Sequence, residues 1–175
     1  PPATKDAFDT TGPAAPTEVA FNEDGTVLTG EGEPGATVTV TGPDGQPIVA
    51  NPPVVVGEDG TFTFPINPPL TNGETVTVVL TDEDGNLGDP ATTDAEDTTA
   101  PAAPTDLVFN EDGTELTGKG EPGATVTVTG PGGPITAGAP VVVGPDGTFT
   151  FPIDPALTNG ETVTVVQTDA ANNPS

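Results

Sequence analysis

Three phrases along the chain alternate between apolar and hydroxylated residues: "ATVTVT" from Ala36, "TFTF" from Thr61 and "ETVTVV" from Glu74. A period of two places Val and Phe on one face and Thr on the other, which predicts strands that meet a core on one side only. Between these phrases stand Asn22-Glu23-Asp24-Gly25, Pro43-Asp44-Gly45, Glu58-Asp59-Gly60 and Thr71-Asn72-Gly73. Their Asp-Gly and Asn-Gly pairs supply the positive φ that tight hairpins need. No window spaces its apolar residues by three and four, so helix is not expected. About seven short strands, at the spacing of a β-sandwich, fit into one such stretch.

The whole pattern then recurs. An offset of 88 matches Asp9 to Asp97 and Phe21 to Phe109, and "GEPGATVTVTG" from Gly32 returns unchanged from Gly120. After a deletion near Gln46 the offset becomes 87, and "DGTFTFPI" and "LTNGETVTVV" continue in register. A repeat this long denotes whole domains in tandem. Residues 9–96 read as the first domain and 97–175 as the second. The opening "PPATKDAFDTT" parallels "DPATTDAEDTT" from Asp89, so residues 1–8 read as the last strand of a preceding repeat with its linker. The second domain, by the same comparison, lacks that strand. The chain thus reads as an excerpt of a longer array, cut out of phase with its domains. The open edge of the second domain is expected to be completed by residues 1–8 of a neighbouring copy or by further sequence, because an unpaired sheet edge is a liability. The core is expected to use Val with Phe21, Phe62, Phe64, Phe109, Phe149 and Phe151, with Leu107 to Phe109 entering the second core, which is light enough to predict marginal stability.

Composition narrows the chemistry. There is no Cys, His, Met, Trp or Tyr, and 27 acids face two cations, Lys5 and Lys119, for a formal charge of −25. Hydroxyl and thiol nucleophiles lack their usual His base and zinc lacks its usual ligands, so an enzyme is not expected. Repeated carboxylate pairs without a stacking aromatic do not suggest glycoside hydrolysis. The charge repels nucleic acid and anionic lipid, and no apolar run approaches a membrane span. Carboxylates, amides and carbonyls remain, which are hard oxygen ligands suited to Ca²⁺ or Mg²⁺.

The phrases "DTTAPAAPT", "GKGEPGATVTVTGPGG", "DGTFTFPI" and "VVQTDAANNPS", in that order, resemble the tandem bacterial immunoglobulin-like repeats of giant RTX-type surface adhesins and biofilm-associated proteins. The resemblance implies an all-β chain of two Ig-like Greek-key β-sandwich domains in an elongated array, exported by type I secretion to the bacterial cell surface. It also implies a stalk that carries an adhesive tip and binds Ca²⁺ at the joints between repeats. Two positions depart from the pattern. The Asp82-Glu83-Asp84-Gly85-Asn86 phrase has Asn172 in place of Gly in the second copy, and Gly12 of the first linker is Ala100 in the second. The turn after Asp169 is therefore expected to differ in shape.

Three acidic points recur: linker acids Asp6 and Asp9 with Asp94 and Asp97, loop acids Asp82 and Asp169, and Glu33 and Glu121 before a Pro-Gly turn. In a sandwich these segments can meet at the end of a domain that faces the next repeat. One Ca²⁺ site is accordingly expected from Glu33, Asp82, Asp94 and Asp97, with an equivalent from Glu121, Asp169 and the Asp6 and Asp9 of a following copy. The hairpin acids Glu23, Asp24, Asp44, Glu58, Asp59 and Asp146 read instead as turn formers. An EF-hand is rejected, because with Asp82 as the first place Gly85 falls at the fourth instead of the sixth and no Glu stands at the twelfth. The leading function is an extracellular spacer whose partners are neighbouring repeats, supporting adhesion and biofilm formation. The alternative is a module that binds a glycan, a host protein, ice or itself through a Thr-rich sheet face.

Overall fold

The computed structural model describes residues 9–175, and among them it contains strands and turns but no helix. Asp6, Lys5 and the strand expected over residues 1–8 lie outside the described residues. The chain divides into two compact units, the first ending at Asp97 and the second spanning Thr98–Ser175.

In the first unit β1 (Thr17–Phe21), β2 (Val27–Glu31) and β5 (Thr61–Pro65) form one sheet. The other runs β4-β3-β6-β7, with β3 at Thr37–Thr41, β4 at Pro47–Ile48, β6 at Thr75–Thr81 and β7 at Ala91–Asp94. Every pairing is antiparallel. The alternation read from the sequence is what buries the core. Val38 and Val40 of β3, Phe62 and Phe64 of β5, and Val76, Val78 and Leu80 of β6 all point inward, while the intervening Thr residues stay outside or at the boundary. Phe21 packs against this core only in part.

The second unit repeats the plan. Strands β8 (Thr105–Phe109), β9 (Glu115–Lys119) and β13 (Thr148–Pro152) form its three-stranded sheet. In the facing sheet β10 (Thr125–Gly130) pairs with β11 (Gly133–Ile135), β12 (Val141–Val142) and β14 (Thr164–Thr168). Leu116, Val126, Val128, Phe149 and Phe151 are buried between the two sheets.

Leu107 and Val108, expected to enter the second core with Phe109, stay 42% and 59% exposed. The register of β8 slips between Thr105 and Val108, and Asp106 takes a φ of +51°. That bulge breaks the period-two alternation, so only Phe109 turns toward the core. The same bulge recurs at Glu18 in β1.

Candidate functional site

The turn after β6 is built around one carboxylate. Asp82 Oδ1 accepts the Asn86 backbone N–H at 2.8 Å, and Asp82 Oδ2 accepts the Asn86 side-chain amide at 2.8 Å. The same amide nitrogen donates to the backbone carbonyl of Asp9 at 3.2 Å. These bonds hold the Asp82 carboxyl below its ordinary value of 3.8, the Asn86 side chain contributing most, because a donor stabilises the ionised form. The linker entering the first unit is therefore tied to this turn. A Cβ on Gly12 would lie 2.0 Å from the Leu87 carbonyl oxygen, so the close approach of linker and turn needs glycine there.

Glu33 is exposed at the same end. Its turn leads into β3, whose first residue Thr37 pairs with Thr81, and a Cβ on Gly35 would stand 3.7 Å from the Glu83 carboxylate. Asp82, Glu33 and Asp9 thus share the end at which the linker enters, here the proximal end.

Asp94 and Asp97 do not join them. Strand β7 runs back along β6, so Asp94 pairs with Thr75 and accepts its hydroxyl at 2.6 Å. Gly73 lies beside Asp97, a Cβ on it standing 3.8 Å from the Asp97 Cβ. Six residue steps of β6, roughly 20 Å, separate this distal end from Asp82. Ca²⁺ holds its oxygens at about 2.3–2.6 Å, so the expected set of Glu33, Asp82, Asp94 and Asp97 cannot close on one ion within this unit. Antiparallel pairing is the reason: the strand that follows the Asp82 turn carries its own acids away from it. Among the described residues no three acidic side chains come together as a metal cluster.

In the second unit Asp169 repeats the role of Asp82. Its Oδ1 accepts the Asn173 backbone N–H at 2.9 Å and its Oδ2 the Asn173 amide at 3.0 Å. Its carboxyl is likewise held below 3.8, here chiefly by the Asn173 backbone. The turn keeps its shape despite the loss of glycine. Asn172 adopts a φ of +73° against +88° for Gly85, and the N–H of each donates to the carbonyl of the turn's aspartate. Asn is among the few residues that tolerate this left-handed geometry, which corrects the expectation of a different turn.

Glu121 lies near Asp169 through Gln167. The Gln167 Oε1 accepts the Glu121 N–H at 2.9 Å, and its Nε2 donates to the Ala102 carbonyl. Gln167 is buried and occupies the place of Leu80. Composition had not singled it out, although a lone Gln at an inward position of a Val strand was a legible anomaly. The second linker, with Ala100 where Gly12 stands, is thus held by a side chain through its Ala102 carbonyl.

The hairpin acids are engaged in turns. Asp59 Oδ1 accepts both the N–H and the hydroxyl of Thr61 at 3.0 and 2.9 Å, and Asp146 does the same for Thr148 at 3.1 and 2.9 Å.

The sequence family completes the picture: residues 12–97 and 100–175 each match the bacterial Ig domain. The chain belongs to the bacterial Ig domain family. Two bacterial Ig domains in tandem account for both units and for their shared turns, and the match indicates no catalytic family. No curated protein matches the chain. Among solved structures the pair is similar to a "Biofilm associated protein - BSP domain", at 20% identity and a TM-score of 0.39 over 92% of this chain and 28% of that one. It is similar also to the "tetra-tandem repeat in extending region of large adhesion protein", at 23% identity and a TM-score of 0.40 over 94% of this chain and 47% of that one. A third similar structure comes from a "1.5-MDa bacterial ice-binding adhesin", at 19% identity and a TM-score of 0.31 over 93% and 62%. The bacterial Ig pair spans less than two-thirds of each of these chains.

Proposed function

We propose that this tandem pair is a spacer of a bacterial cell-surface adhesin or extracellular matrix fibre, holding an adhesive region away from the cell and thereby supporting adhesion and biofilm formation. One observation carries the reading. Both domains reproduce the same sandwich, the same Asp-Asn turn and the same capped hairpins, as an extender made of interchangeable units requires. A module specialised for recognition needs one distinctive site instead. The partners are further repeats of the same protein, and the charge of −25 suits an exported chain that must stay soluble and apart from anionic surfaces.

Ca²⁺ is the ion for the joints in this reading, placed at the proximal end of each domain instead of across its length. In the first domain the Asp82 carboxylate and the Asp9 carbonyl already converge on the Asn86 amide. Rotation of that amide presents a third oxygen to the same point. Asp169 and Asn173 repeat the pairing of carboxylate and amide in the second domain. A cation bound there would hold the entering linker to the domain and relieve the self-repulsion of the acids.

The test is small-angle scattering and thermal melting of a chain of several repeats, with Ca²⁺ and then with chelator. The expected result is a longer maximum dimension and a higher melting temperature with Ca²⁺, both lost in Asp82→Ala, Asp169→Ala chains. No response of either quantity to the ion would remove Ca²⁺ from the reading, and a compact, flexible chain under both conditions would remove the spacer.

A further inference from the structure

Both domains turn on Asp-Gly and Asn-Gly pairs, and the two kinds of pair treat the glycine nitrogen differently. In the Asp-Gly turns Gly25, Gly45, Gly60, Gly85, Gly113 and Gly147 each donate the N–H to the carbonyl three residues earlier, at 2.9–3.2 Å. The Asn-Gly turns before β6 and β14 lack this bond. Asn72-Gly73 and Asn159-Gly160 are exposed, and among the described residues neither glycine N–H meets a protein acceptor. A carboxylate ties each turn instead: Glu74 Oε2 accepts the Asn72 N–H at 2.8 Å, and Glu161 Oε2 the Asn159 N–H at 2.7 Å.

This difference bears on a reaction of the chain with itself. The amide carbon of an Asn side chain can close a five-membered ring with the backbone nitrogen of the next residue, and glycine, without a Cβ, obstructs that approach least. The nitrogen must first lose its proton, as in amide exchange. An N–H engaged in a hydrogen bond is protected from that loss and a free one is not.

We propose that Asn72 and Asn159 are sites of spontaneous deamidation. Hydroxide takes the proton of the Gly73 or Gly160 nitrogen, which then bonds to the Asn Cγ. The Cγ–Nδ2 bond breaks, and the amide nitrogen takes a proton from water and leaves as ammonia. Water adds to either carbonyl carbon of the cyclic imide and breaks its bond to the glycine nitrogen, giving aspartate or isoaspartate. Each conversion places a new carboxylate beside Glu74 or Glu161, so a chain of charge −25 becomes more acidic with age and the tie across the turn meets a like charge. Isoaspartate also lengthens the backbone of the turn by one carbon.

The other asparagines are held back by their surroundings. Asn51, Asn67 and Asn173 precede proline, which has no N–H to give up. The Asn86 amide is bonded to Asp82 and to the Asp9 carbonyl, and Asn22 and Asn110 are bonded to Thr26 and Thr114 inside their own turns.

Peptide mapping by mass spectrometry, after incubation of the 175-residue chain in mildly alkaline buffer, tests the proposal. The expected result is conversion of Asn72 and Asn159 from amide to acid, with isoaspartate among the products and a rate that rises with pH, while Asn22, Asn86 and Asn110 remain amides. Asp44→Asn supplies the same chemistry in a turn whose glycine N–H is bonded, and its side-chain oxygen can still accept the Gln46 N–H as Asp44 does. In the folded chain the new amide should convert about tenfold more slowly than Asn72, the worth of one hydrogen bond. In urea the two should convert at comparable rates. Intact Asn72 and Asn159 overturn the proposal. Equal rates for Asn72 and the introduced amide in the folded chain overturn it as well, because the free N–H would then not be what selects the sites. None of these results depends on Ca²⁺ or on the spacer reading.

Discussion

In the first domain β6 runs for seven residues and lies between β3 and β7, whereas its counterpart β14 runs for five and pairs only with β10 among the described residues. Nearly identical sequence thus gives unequal burial. Val76 and Val78 are sealed in, while Val163 and Val165 keep part of their surface in water. The pair shows that an inward-facing Val owes its burial to the strand beside it as much as to its own place in the alternation. A second contrast lies one turn along the same strand. The first domain fills the space under its Gly32 turn with Leu80, and the second with Gln167, whose amide bonds Glu121 and Ala102.

The largest expected effect tests that second contrast. Gln167→Ala leaves a cavity and two unpaired backbone groups and should cost about 2–4 kcal/mol, with faster amide exchange across residues 99–104. Gln167→Leu, which rebuilds the first domain's solution, should cost clearly less. Equal losses would mean that the filled volume contributes nothing and that the two hydrogen bonds account for the whole cost.

The edge contrast should give a smaller difference. Val78→Ala is expected to cost about 2 kcal/mol, from two lost methyl groups and a small cavity, and Val165→Ala roughly half of that, because its side chain is only partly removed from water. Residue-resolved hydrogen exchange reads each domain separately. Equal costs would break the comparison.

The smallest effect concerns acid. Hydrogen bonds depress the carboxyls of Asp82 and Asp169 in the folded chain, so their contribution to stability is present above the ordinary value of 3.8 and is lost as pH falls through the lower folded values. Carbon-detected NMR titration should place both midpoints below 3.8. A normal midpoint for Asp169 alone would show that Asn172 does not replace Gly85 as a turn former. Global melting is a poor readout here, because protonating many acids also relieves the charge repulsion of the chain.

Much of this architecture was legible in the alternation of Val and Phe with Thr and in the Asp-Gly and Asn-Gly turns, since both are local properties of backbone geometry. The Asp59 and Asp146 turns followed directly from that chemistry. Leu107 and Val108 did not, because a bulge at Asp106 shifts the face on which later side chains emerge. The candidate ion ligands divided in the same way. That Asp82 would organise a turn was readable from its spacing to Asn86, but grouping it with Asp94 and Asp97 required knowing which way β7 runs.

The sequence by itself determined an acidic, tandem, all-β chain without the residues of common catalysis, because residue chemistry and strand periodicity need no knowledge of distant contacts. Only the tertiary structure decided that Asp9 meets the Asp82 turn while Asp94 lies a strand's length away. It also decided that, among the described residues, Val76 and Val78 are buried while Val163 and Val165 are only half-buried. Those outcomes depend on which strands lie side by side and in what direction, and antiparallel pairing brings together residues that no spacing along the chain foretells.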